Sequence, residues 1–158
     1  MKRVFILILP LIMLVTVVKI NAQYLEKKSV SLELAKKIAA AAEIEAVKNK
    51  WTDVITIVDE GGNLVYTERM DNTQIGSIEI ALKKAQTALY FKRPTKSYED
   101  RVTGGNNAIL GLPNVLPIEG GIPLIVDGQF IGAIGVSGGS APQDGQVAKA
   151  GADVLPAK

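Results

Sequence analysis

Gly135-Val-Ser137-Gly-Gly139 spells the G-x-S-x-G pattern that presents a nucleophilic serine on the turn between a strand and a helix. A serine attacks only when a base takes its proton, and in most such arrangements the base is histidine. The 158-residue chain has no His and no Cys. Lys149 is the only lysine in the helix that follows, and no spacing brings it to Ser137. The glycines and the serine therefore read as the end of a strand and the start of a helix. The same two absences remove structural zinc sites, iron–sulfur clusters, disulfides and Cys-His catalysis. They also leave no side chain whose unperturbed pKa lies near neutrality.

Other chemistry-bearing groups are more scattered. Neither GxxxxGK[ST] nor GxGxxG occurs, although Gly138-Gly139 precedes a helix and offers backbone N–H groups to an anion. Asp59-Glu60 sits at a turn, and Glu68 and Asp71 flank Arg69-Met70; these read as solvated charge. No EF-hand spacing is present, and no spacing singles out a carboxylate pair for glycoside hydrolysis. Glu79 and Lys83 stand at i, i+4 in the order that favours an ion pair. Eleven glycines lie between 104 and 145, a density that implies tight turns and close backbone approach by a ligand or a neighbouring subunit.

The elements that must position these groups follow from periodicity and turn chemistry. Ser31 is an N-cap for a helix from Leu32 to about Lys48, with Leu34, Ile38, Ala42 and Ala46 on one face. Asp53 to Asp59 is rich in β-branched residues and reads as a strand. Gly61-Gly62-Asn63 turns it into a return strand over Leu64 to Met70. A second helix follows Gln74 to Ser77, buries Ile78, Ala81, Ala85, Ala88 and Leu89, carries Lys83 and Lys84 in its middle, and ends at Arg93-Pro94. Ser97 to Val102 suits a short helix and Val115 to Ile118 a short strand. Ile122 to Val126 and Gln129 to Val136 flank Asp127-Gly128, a type I′ hairpin signal. Pro142 suits the first position of a last helix. The order α-β-β-α-(α)-β-β-β-α predicts an α+β fold, an antiparallel sheet with helices on one face.

The N-terminus has the layout of a secretory signal peptide: Lys2 and Arg3, an apolar run from Val4 to Val18, and a small residue at Ala22. Pro10 and the run's fifteen residues speak against a membrane-spanning helix, which needs about 20. Cleavage after Ala22 makes residues 1–22 the signal and 23–158 a single domain, periplasmic or secreted. It removes Lys2, Arg3 and Lys19, so the basic count falls from 18 to 15 against 16 acidic residues. Without a basic surface there is no electrostatic case for nucleic acid. Ala-rich helices and Gly-rich strands in a Cys-free secreted chain point to flat, close interfaces and a homo-oligomer.

Eight ordered blocks carry a family resemblance. Ser31 to Ile38, Val58-Asp-Glu-Gly-Gly-Asn-Leu-Val-Tyr66, Glu68-Arg-Met-Asp71 and Lys83-Lys-Ala-Gln-Thr-Ala88 are the first four. Phe91-Lys-Arg-Pro-Thr95, Pro117-Ile-Glu-Gly-Gly-Ile-Pro123 and Gly132-Ala-Ile-Gly-Val-Ser-Gly-Gly139 follow, with Gln143 to Ala148 closing the match. Over about residues 29 to 155 the chain resembles the GlcG/HbpS family of haem-binding or haem-degrading domains. The resemblance implies a profilin-like fold, homo-oligomers, and haem as a cofactor. Without His, axial ligation falls to Tyr24, Tyr66, Tyr90, Tyr98, Met70 or a lysine. Arg69, Met70, Glu79, Lys83, Arg93, Thr95 and Glu119 fall in the resembling blocks and are the expected ligand-binding residues. Arg69, Lys83 and Arg93 would form a cationic cluster for haem propionates or a small carboxylate. Three functions follow from this reading: a secreted haem-binding protein in sensing or protection, a non-catalytic small-carboxylate-binding or scaffolding oligomer, and a haem-degrading enzyme. General acid–base catalysis without His would need a strongly shifted Lys or Glu.

Overall fold

A computed structural model describes residues 25–156; the expected signal peptide and Tyr24, one of the expected axial ligands, lie outside them. The chain runs α1 (Leu32–Lys48), β1 (Val54–Asp59), β2 (Leu64–Arg69), α2 (Ser77–Tyr90), α3 (Lys96–Thr103), a 3-10 turn (Asn107–Gly111), β3 (Gly121–Val126), β4 (Gln129–Ser137) and α4 (Ala141–Ala152). The four strands form one antiparallel sheet in the order β2-β1-β4-β3. Two hairpins build it, joined by the central pairing of β1 with β4, which sets Val54 opposite Ser137 and Ile57 opposite Ile134. The fold is α+β, as expected.

Two local expectations hold at atomic detail. Ser31 caps α1, its hydroxyl accepting from Leu34 N–H at 3.2 Å. Asp127 and Gly128 have φ of 49° and 74°, the left-handed pair that a type I′ turn requires. Two others need correction. Val115 to Ile118 forms no strand: Pro117 has no N–H to give a ladder, and Leu116 N–H instead donates to Thr87 Oγ1 at 2.9 Å, tying the segment to α2. The sheet therefore has four strands, not five. Pro142 occupies the second helical position of α4, after Ala141.

The helices cover both faces of the sheet rather than one. Ile55, Ile57, Ile134 and Val136 pack with Ile38, Ala39, Ala42, Val147 and Ala148 of α1 and α4. On the other face, Val58 and Ala133 pack with Ala85, Ala88 and Leu89 of α2. The physical reason is visible in β1, whose run Val54 to Val58 is buried at every position. Continuous β-branched sequence without alternation is the pattern of a strand covered on both sides. Contact with α2 is close enough to demand glycine: a Cβ at Gly135 would lie 2.0 Å from Ala81 O. The helix α2 runs from Ser77, beside Ser137, to Tyr90, beside Gly62. It thus links the two ends of the sheet.

Candidate functional site

The first end gathers the start of β1, the ends of β2 and β4, the start of β3 and the first turn of α4. Lys84 sends its side chain from α2 past the first residues of β3. Its Nζ donates to Asp144 Oδ2 at 2.6 Å and to Val136 O at 3.0 Å. Gly139 N–H, the anion-binding group expected before the helix, donates to Asp144 Oδ1 at 2.9 Å and to Asp53 Oδ1 at 3.2 Å. The anions it holds are the protein's own. Lys84, Asp53 and Asp144 are 1%, 0% and 2% exposed. Burial, then the neighbouring Asp144 charge, pushes the Asp53 carboxyl up to about 6. Burial also raises Asp144, against the hydrogen bond from Lys84 that favours its charged form. Glycines shut the cluster in. A Cβ at Gly120 would lie 2.9 Å from Lys84 Nζ, and one at Gly138 2.5 Å from Asp53 Oδ1. Neither of the two grooves described below is lined by any of the three.

Several of the expected binding residues surround this closed end. Met70 N–H donates to Asp53 O at 3.0 Å, and its sulfur accepts from Asp53 N–H at 3.4 Å. Met70 is thus a packing and hydrogen-bonding partner of the cluster. Thr95 is fully buried, and its hydroxyl accepts from Gly121 N–H at 2.9 Å, pinning the start of β3. Glu119 lies against Gly145, where a Cβ would stand 2.4 Å from its Oε1. Burial raises its carboxyl pKa, and Lys96 opposes the shift.

The expected cationic cluster does not assemble. Arg69 spends a guanidinium nitrogen on Thr73 O at 2.8 Å. Arg93 donates to Phe91 O at 3.1 Å and lies over the Tyr98 ring at 5.7 Å. Lys83 and Glu79 are exposed on α2, and the ion pairs among the described residues do not include them. Solvent screening and side-chain entropy leave such a surface pair little net gain.

The opposite end of the sheet is open. A groove of about 520 Å³ lies between the leading segment, the β1–β2 turn, the end of α2 and the β3–β4 turn. Leu25, Leu89 and Phe130 give it apolar wall, Lys27, Lys28 and Lys92 give it cations, and Glu26 and Glu60 two acids. Lys28 is tied to Asp127 at 2.5 Å, and Lys92 Nζ sits 5.3 Å from the centroid of Phe130. Glu60 Oε2 is buried without a hydrogen-bond partner among the described residues. Tyr90 stands in the groove 46% exposed. Its ring lies on Gly62, where φ is 84° and a Cβ would be 2.5 Å from Tyr90 Cε1. Gln86 Nε2 donates to Gly62 O at 3.1 Å and holds that turn to α2.

None of the seven expected binding residues lines this groove. Tyr90 does, and it was among the expected axial ligands. The cluster at the closed end was missed, although a signal for it existed. Lys84 shares the apolar stripe of Ala81, Ala85 and Ala88, whereas Lys83 does not. A smaller groove of about 390 Å³, lined by Pro123, Ile125, Ala152, Asp153, Leu155 and Pro156, holds one charged side chain. No helix among the described residues is long and apolar enough to cross a membrane.

Residues 30–153 match the family described as "Haem degrading protein HbpS-like". Protein GlcG of Escherichia coli K12 is 45% identical over 111 residues, which span 70% of this chain and 83% of GlcG. The crystal structure of a double mutant of HbpS from Streptomyces reticuli superimposes with a TM-score of 0.78 at 31% identity, covering 90% of this chain and 99% of that one. The crystal structure of a PduOC–haem complex gives a TM-score of 0.73 at 32% identity, over 79% of this chain and 94% of the other.

Proposed function

The chain belongs to the HbpS-like family, and from that premise we propose that it binds haem in the groove at the hairpin-turn end of its sheet. The observation that carries this reading is the chemistry of that groove. Haem is a flat apolar macrocycle with two carboxylates on one edge and an iron that takes a ligand from its face. The groove offers Leu25, Leu89 and Phe130 to the macrocycle, Lys27 and Lys92 to the carboxylates, and Tyr90 among its walls. The donor set fits the group. A phenol oxygen is a known type of haem ligand, and lysines serve carboxylates as point charges. Bound there, haem would supply an iron centre. The protein's own part is to hold the macrocycle away from water and to fix its orientation by the lysines. The family membership and the PduOC–haem complex support the choice of ligand.

In this proposal residues 1–22 export the protein, so that it meets haem in the periplasm or outside the cell, in sensing or protection. Homo-oligomers remain part of the reading, and light scattering measures them directly.

The test is a titration of haemin into the full chain, followed by visible absorbance. The expected result is a saturable, shifted Soret band near one haem per chain, weakened when Lys27 and Lys92 are both changed to Gln. A non-saturating response overturns the proposal. Thermal stabilisation by small carboxylates would then favour the small-acid-binding alternative.

A further inference from the structure

We infer that Tyr90 is the residue that ligates the haem iron, through its phenol oxygen. This rests on the haem reading above and assigns its metal ligand. With no His or Cys in the chain, the strong protein donors left for iron are phenols, the methionine thioether and amines. The structure has already committed most of those it describes. Tyr66 donates its hydroxyl to Glu68 Oε2 at 2.8 Å. Tyr98 is 3% exposed, with its ring edge-on to Phe91 at 5.4 Å. Met70 sulfur accepts from Asp53 N–H and packs against the core at the far end of the sheet. Lys84 is sealed beside Asp144, and Lys28 is paired with Asp127.

Tyr90 differs from each of these. Among the described residues its hydroxyl has no hydrogen-bond partner, and its side chain lines the groove. Its ring is also seated rather than loose. Gly62 supplies the bare backbone it rests on, and Gln86 anchors that backbone to the same helix. A phenol that is positioned, accessible and unpartnered beside apolar walls and lysines has the features a ligand for ferric haem needs. Ligation is balanced simply. The phenol O–H gives its proton to bulk water, an oxygen–iron bond forms, and a water leaves the iron; no electron moves.

The experiment titrates the full chain and its Tyr90→Phe and Tyr90→His variants with haemin and with iron-free protoporphyrin IX. The Phe variant keeps the ring on Gly62 and removes only the oxygen. The expected result is a loss of at least about tenfold in haemin affinity, with loss of the phenolate-to-iron charge-transfer absorbance. Protoporphyrin affinity should stay within about twofold, because the apolar wall is intact. Tyr90→His should restore haemin affinity with a displaced Soret band, a response that a structural role would not produce. An unchanged haemin spectrum in the Phe variant overturns the assignment. So does an equal weakening of both porphyrins, which would make Tyr90 a wall and not a ligand. Wild-type binding of both porphyrins without a phenolate band overturns the ligand and leaves the haem reading standing. Wild-type binding of neither overturns both.

Discussion

The two ends of one sheet treat polar chemistry in opposite ways. At the end where β1 starts, a lysine and two carboxylates are buried, and the ammonium and Asp144 have their polar atoms paired with protein. At the hairpin-turn end, a phenol, lysines and a glutamate face an open groove. Buried charge needs partners, because desolvation is costly unless Coulomb attraction and hydrogen bonds offset it. The closed end offsets most of that cost internally, through the Lys84 ammonium and the Gly139 N–H, and leaves Asp53 Oδ2 buried without a partner among the described residues. Strong electrostatics in this protein therefore marks structure. Unspent capacity that is also open to solvent is what the proposal takes as the place for a ligand. A reading that ranked sites by buried charge alone would choose the closed end, opposite the groove proposed for haem.

The largest effect that could break this comparison comes from Lys84→Met. The change leaves Asp144 and Asp53 buried beside one another without their cation. Breaking a buried pair in this way costs about 3–5 kcal/mol, read as a lower denaturation midpoint. The groove lies at the far end of strands six residues long, roughly 20 Å away. Haemin affinity of the folded variant should therefore match wild type. A loss below about 1 kcal/mol would remove the closed end as a structural lock. A loss of haemin binding without unfolding would show that the two ends act as one site.

The pH dependence is the next effect in size. Asp53 holds its proton to about pH 6 in the folded state, against an ordinary value of 3.8. The groups facing it are Asp144 from α4, Lys84 from α2 and the Gly139 N–H. Because the folded state binds this proton more tightly than the unfolded chain, its stabilising contribution is full below pH 3.8 and is lost as pH rises through about 6. The span corresponds to roughly 2–3 kcal/mol. Asp53→Asn, which cannot ionise, should flatten that slope and be more stable than wild type at pH 8. Denaturant melts at pH 5 and pH 8 sample the upper part of that span, about 1.4 kcal/mol. An unchanged slope in the variant would place the titrating proton elsewhere.

What was legible in the sequence follows the range of the interaction. The Ser31 cap and the Asp127-Gly128 turn are set by residues within four positions of each other, and both appear as expected. The two-sided burial of the sheet was written in the run Val54 to Val58, but strand order decides which helix covers which face. Val115 to Ile118 looked like a strand by composition, and Pro117 together with Thr87, 29 residues before Leu116, decided otherwise. The groove was not legible, because its walls come from four separated segments that meet only when both hairpins turn at the same end. Gly138-Gly139 reads in the sequence first as a turn, with N–H groups on offer to an anion. The anions proved to be Asp53 and Asp144, the latter five residues on and the former 86 residues back.

The smallest expected effect is the sharpest control, because it uses the residue next to Lys84. Lys83 and Glu79 have the spacing of a helix ion pair, yet both side chains are exposed and they are not paired. Lys83→Ala and Glu79→Ala should each change stability by no more than about 0.5 kcal/mol, with haemin affinity unchanged. Adding salt should change that result little, since the two exposed charges are not in contact and water already screens their attraction. Moving one residue along α2 rotates the side chain by about 100° and takes a lysine from solvent to a fully enclosed ion pair. If Lys83→Ala instead weakened haemin binding, the ligand would lie against the exposed face of α2, and the groove at its C-terminal end would lose its claim. If it destabilised the fold as much as Lys84→Met, burial would not be what separates the two lysines, and the contrast between the closed and open ends would fail with it.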